Sequence, residues 1–137
     1  MKRYLLAIDP GDSTGICVFD FDTGDVADMR IIKAEEFPAY LRKRKPEKYA
    51  AIVYEDFILF RGKEAGQVGS RFKASQVIGQ LKMWGDDHSI RLVRQASSVL
   101  SNGYKASGMP RAGSHKDSHD KDAYVHGWVF LNSIGKV

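Results

Sequence analysis

Apolar positions along this chain come in two patterns, unbroken short runs and helical stripes, and their order outlines an α/β domain. Tyr4-Leu5-Leu6-Ala7-Ile8 is an unbroken run that stops at Asp9-Pro10-Gly11, the pattern of a buried central strand ended by a turn. Ile16 to Phe19 forms a second strand, and Val26 to Ile32 supplies a third behind the turn Asp22-Thr23-Gly24-Asp25. Ala34, Phe37 and Leu41 then recur at helical spacing, with Pro38 in the tolerant first turn and Pro46 ending the pattern. Ala50 to Tyr54 is a fourth strand, which delivers Glu55 at its carboxyl end as the first strand delivers Asp9. Ala74, Val77, Ile78, Leu81 and Trp84 mark a helix that covers the sheet, running from about residue 69 to 84. Gly79 inside it costs about 1 kcal/mol against alanine, a cost that close packing would justify.

A fifth strand at Ile90 to Val93 precedes Ser101 to Ser118, a Gly-, Ser-, Lys- and Arg-rich stretch without apolar period that reads as a mobile basic loop. Ala123, Gly127, Phe130, Leu131 and Ile134 share one face of a last helix, capped by Asp117 or Ser118. The expected order is βββαβαβα, a mixed five-stranded sheet with helices on both faces.

The length of 137 residues suits one domain, and the 43% hydrophobic and 11% aromatic content is enough for a single core. Lys and Arg outnumber Asp and Glu by 21 to 17, which favours a polyanionic partner. The lone Cys17 sits in an apolar stretch and reads as a core residue of a protein kept in a reducing compartment. No apolar run approaches the ~20 residues of a membrane span, so a soluble cytoplasmic protein is expected.

Candidate chemistry follows from the acids. Asp9 and Glu55 end buried strands, and the carboxyl ends of strands are where open α/β sheets bind ligands. Two close carboxylates repel, and a divalent cation relieves that repulsion. On the last helix His119 and Asp122 lie about 60° apart with His126 between them, at about 100° per residue. His126 reads as a hydrogen-bonded structural residue able to orient Asp122. Asp120 points about 160° from Asp122 and suits the helix dipole instead. Asp56 alternates to the face opposite Glu55.

Leu6-Ala7-Ile8-Asp9-Pro10-Gly11 with Thr14-Gly15, then Ile52-Val53-Tyr54-Glu55, Gln76-Val77-Ile78-Gly79 and His119-Asp120-Lys121-Asp122-Ala123-Tyr124 resemble the RuvC-type Holliday-junction resolvases, particularly their short phage-encoded relatives. The resemblance spans nearly the whole chain and implies an RNase H-like fold. It further implies that Asp9, Glu55, His119 and Asp122 hold two magnesium ions, with manganese able to substitute. The histidine at 119 is a variant of a position that other members fill with aspartate. The implied reaction is in-line attack of water on a phosphodiester, leaving 5′-phosphate and 3′-hydroxyl ends. The implied substrate is branched DNA, above all four-way junctions. The implied assembly is a homodimer formed through the helix near residues 69–84.

Arg61, Lys63, Arg71 and Lys73 after Glu55, and Lys105, Arg111, His115, Lys116 and Lys121 before or within the last helix, are candidates for phosphate contacts. Phe57 and Phe60 lie where the resolvases carry an aromatic residue that probes the junction centre, and an exposed ring there can stack on unpaired bases. Three other readings remain at this stage. One is a nuclease for forks, flaps or structured RNA with the same metal site. Another is an actin-like or sugar-kinase-like ATPase, suggested by Asp9-x-Gly11-x-Ser13-Thr14-Gly15 but needing two such domains. The third is a DNA-binding module without catalysis.

Overall fold

The computed structural model describes residues 2–56, 68–110 and 118–137, with side chains of the second helix described from residue 72 onward. The first three strands, β1 (Tyr4–Asp9), β2 (Ser13–Asp20) and β3 (Val26–Lys33), form an antiparallel meander. A 3₁₀ turn at Ala34–Glu36 leads into α1 (Phe37–Arg42), and a second at Pro46–Lys48 leads into β4 (Tyr49–Asp56). Then come α2 (Val68–Asp87), β5 (Arg91–Ala96), α3 (Val99–Ser107) and α4 (His119–Ser133). The sheet order is β3-β2-β1-β4-β5, with β4 parallel to β1 and β5 parallel to β4. This is the mixed five-stranded α/β sheet expected from the apolar pattern.

Strand alternation divides the core in two. Leu6, Ile8, Ile16, Val18, Ile52 and Tyr54 point to the face covered by α1 and α2, where they meet Phe37, Leu41, Val77 and Leu81. Leu5, Ala7, Cys17, Phe19, Ala51 and Val53 point to the other face, where Ala123, Phe130 and Leu131 of α4 close over them. Cys17 is buried, and burial raises its thiol pKa far above the ordinary value, as expected of a core residue. Among the described residues no helix is long and apolar enough to cross a membrane.

Two expectations are corrected. Part of the stretch read as a mobile basic loop is helical: α3 packs Leu100 and Tyr104 against Val125 of α4. The helix ends where Gly108 takes a left-handed conformation at φ 75°. Gly79 is not closely packed, since a Cβ there would meet nothing within 4 Å; the tight glycine of α2 is Gly85, whose Cβ would lie 3.1 Å from Leu92 and 3.3 Å from Ile52.

Candidate active site

The register places four residues in one row across the sheet. Asp9 is the Cα partner of Gly15 and Glu55 that of Gln95, while Ile8 pairs with Tyr54, so Asp9 and Glu55 follow side by side on β1 and β4. Asp9 shares the parity of Leu5 and Ala7, and Glu55 that of Ala51 and Val53; both therefore face α4. Beyond Asp9 the turn is tied by Thr14, fully buried, whose hydroxyl donates to the Gly11 carbonyl at 2.9 Å.

Gly15 is the opening through which α4 reaches this row. A Cβ at Gly15 would stand 1.9 Å from the His119 carbonyl oxygen and 2.7 Å from the Asp120 nitrogen, so only glycine lets the start of α4 sit so close to β2. Gly127 does the same one face-length further along, where a Cβ would collide with Phe19 and touch Ala7. The first turn of α4 thus lies over Asp9. Its His119 Nδ1 is 3.0 Å from Asp9 Oδ2, a contact that joins residues 110 apart in sequence.

Each of the acids is held by a partner. Asp9 is 4% exposed. Burial lifts its carboxyl to about 7; the bond to His119 opposes that rise, and the nearby charges of Glu55 and Asp122 add to it. His119 is raised, chiefly by its bond to Asp9. Asp122 is raised by burial and by Glu55, against a hydrogen bond donated by the Tyr104 hydroxyl of α3. Glu55 Oε1 is 3.1 Å from Nε2 of His126.

All four residues expected to form the site, Asp9, Glu55, His119 and Asp122, are therefore brought to one place by β1, β4 and α4. His126 orients Glu55 rather than Asp122, whose partner is Tyr104. Gln95 and Tyr104 belong to this environment without having been singled out from the sequence. Asp120 accepts the backbone N–H of Lys121 in the first turn of α4, and Asp56 pairs with Arg94. Phe57, Phe60, Arg61, Lys63, Arg111, His115 and Lys116 lie outside the described residues, as does the side chain of Arg71. Lys105 is exposed on α3, next to Tyr104. Lys73 is held by Asp12 at 3.0 Å and Glu35 at 2.8 Å, so a phosphate would have to compete with two carboxylates for it.

Among the described residues no three His, Cys, Asp or Glu side chains form a ready-made cage for a metal ion. The donor set nevertheless fits a hard divalent cation. Three carboxylates and an imidazole converge; burial is the main reason Asp9 and Asp122 are raised, and the neighbouring carboxylates add to it.

A mixed five-stranded sheet of this order, with helices on both faces, is an RNase H-like fold. Among solved structures the chain is similar to RuvC. It matches T. thermophilus RuvC in complex with a Holliday junction substrate at a TM-score of 0.64 and 15% identity, over 98% of this chain and 97% of that one. It matches a second Thermus thermophilus RuvC structure at a TM-score of 0.64 and 14% identity, over 97% of each chain. No protein-family model and no curated protein matches the sequence. The fold is thus RuvC-like, at an identity that speaks for the fold alone.

Proposed function

We propose that this protein is a metal-dependent endonuclease that cuts branched DNA, with the four-way junction as its preferred substrate. One observation carries the reading: Asp9 at the end of β1 is in direct contact with His119 of α4, while Glu55 and Asp122 lie within electrostatic reach of it. Such a gathering of buried like charges is costly to a scaffold and useful to an enzyme that binds cations. The RuvC-like fold and the junction bound by the T. thermophilus neighbour support the choice of substrate.

Asp9, Glu55, His119 and Asp122 would hold two magnesium ions, or manganese in their place. Bound there, the ions supply Lewis acidity at a phosphodiester and lower the pKa of the attacking water. The chain's own residues prepare that site. His119 fixes one oxygen of Asp9, and Tyr104 fixes one oxygen of Asp122. The Gly15 opening sets the height of His119 above the sheet. Lys105, exposed beside Tyr104, is available to a phosphate near the site. Arg61, Lys63, Arg71, Arg111 and Lys116 remain candidates for phosphate contacts, and Phe57 or Phe60 for stacking on unpaired bases at the branch.

A symmetric junction calls for two matched cuts, hence a two-fold dimer. The outer face of α2 suits it: Phe72 and Met83 are each 63% exposed, and Gly79 between them faces open space. These three positions fall within about 40° of one another on the helix. Sedimentation that finds only monomers at micromolar concentration, free and on junction DNA, would remove the dimer from this account.

The deciding assay compares magnesium-dependent cleavage of an immobile four-way junction, a fork, duplex DNA and an RNA–DNA hybrid. Symmetric junction nicks are expected, lowered about a thousandfold or more in Asp9→Asn with DNA binding retained. Equal cutting of fork and junction would make it a general branch nuclease. Binding without any cutting would leave a DNA-binding module.

A further inference from the structure

His126 is fully buried, yet both its ring nitrogens meet polar atoms of the sheet. Nε2 is 3.1 Å from Glu55 Oε1, and Nδ1 is 2.7 Å from Gln95 Oε1. Glu55 and Gln95 are Cα partners on the parallel strands β4 and β5, so their side chains leave the sheet side by side on the α4 face. One imidazole on α4 thus bridges two strands at the level of the acid row.

We infer that Gln95 and His126 are positioning residues that fix the carboxylate of Glu55 for cation binding, acting as a relay from β5 through the buried ring on α4 to β4. The inference rests on the nuclease reading given above. Hydrogen-bond chemistry gives the relay a direction. An ionised carboxylate only accepts, so the hydrogen of the ring sits on Nε2 and is donated to Glu55. In the neutral ring Nδ1 then carries a lone pair and needs a donor. Gln95 provides one once its amide is turned over from the orientation given above, so that the nitrogen and not Oε1 faces Nδ1; amide oxygen and nitrogen are told apart only by such a network. Glu55 thus sets the tautomer of His126, and glutamine at 95 satisfies the other ring nitrogen and holds the ring in place, which a leucine could not do. The relay engages Oε1 of Glu55 and has no share in Oε2, which stays available to a cation. A second-layer partner that orients a ligand in this way commonly changes metal affinity about 10- to 100-fold when removed.

The test uses the full chain without DNA and a two-part readout. Nitrogen-15 NMR of His126 reports which ring nitrogen bears hydrogen, and electron paramagnetic resonance of free Mn²⁺ reports cation affinity. The wild type is expected to carry hydrogen on Nε2. Gln95→Leu, a change at a partly exposed position, is expected to leave Nδ1 without its partner and to bind Mn²⁺ about 10- to 100-fold more weakly. His126→Phe is expected to lose affinity at least as far, with His126→Gln recovering part of it through its side-chain amide donor. A wild-type ring without hydrogen on Nε2, or a folded Gln95→Leu with unchanged Mn²⁺ affinity, overturns the relay. If the wild type neither binds Mn²⁺ nor cuts DNA, the nuclease reading falls, and the tautomer measurement still decides whether Gln95 and His126 act on Glu55.

Discussion

The two faces of the sheet use the same alternation of residues for opposite ends. The face under α1 and α2 is sealed by Leu6, Ile8, Ile52, Tyr54, Val77 and Leu81. The face under α4 has an apolar half, Leu5, Ala7, Phe19, Val53 and Leu131, and then a polar row in which Asp9 and His126 are buried. Burying a carboxylate is costly, whereas burying a leucine contributes to stability. The comparison teaches that the first face holds the protein together so that the second can keep charged groups out of water, each tied to a partner from another element.

Substitutions on the two faces should separate stability from activity. Leu81→Ala, at a fully buried position far from the acid row in the core, should cost about 2 to 5 kcal/mol in chemical denaturation. In the fraction that remains folded, its turnover on a junction should be close to wild type. Gly15→Ala should also cost stability, about 1 to 3 kcal/mol or more, because its Cβ meets the backbone of α4 and forces the start of that helix off β2. Its cleavage rate should nonetheless drop well beyond what lost folding explains, since His119 moves with the helix. A variant with wild-type activity per folded molecule would show that the height of α4 does not set the site.

Tyr104→Phe removes one hydroxyl from the Asp122 contact and keeps the packing against Val125. Junction cleavage should fall about tenfold, equivalent to about 1.4 kcal/mol, with a thermal midpoint shifted by only a few degrees. The smallest effect lies away from both faces, at Asp20. Its carboxyl is held below the ordinary value first by the Thr23 N–H and then by Arg3 and the Asp22 N–H. A lowered carboxyl contributes stability above its unfolded pKa and loses it as pH falls through the folded one. Asp20→Asn should therefore lower stability slightly near neutral pH in chemical denaturation and flatten the shallow acid limb, the two proteins converging at low pH.

The unequal legibility of the sequence follows the same division. Strand runs and the α2 stripe are readable because burying them requires long, regular apolar patterns, and the acids Asp9 and Glu55 stand out as their abrupt endings. The helix α3 escaped because Ser101, Asn102 and Gly103 are weak helix formers, and only Leu100 and Tyr104, four apart, mark its inner face. That pair, followed by Gly108 as a stop, was the available signal. Gly103 is itself a packing requirement, since a Cβ there would lie 2.5 Å from Val125. His126 could be placed on the inward side of α4 from spacing, but its partner could not: choosing Glu55 over Asp122 depends on the angle at which α4 crosses the strands. Gln95 carried no signal, being an uncharged residue on a short edge strand whose meaning arises from the residue beside it on β4.

The contact between His119 and Asp9 spans 110 positions of sequence, and α4, which supplies it, follows all five strands. A ribosome that has made β1 through β5 has produced both strand acids and neither of the helix groups that face them. On the nuclease reading, cutting power would then depend on α4 docking through the Gly15 notch, which joins the two sets of groups.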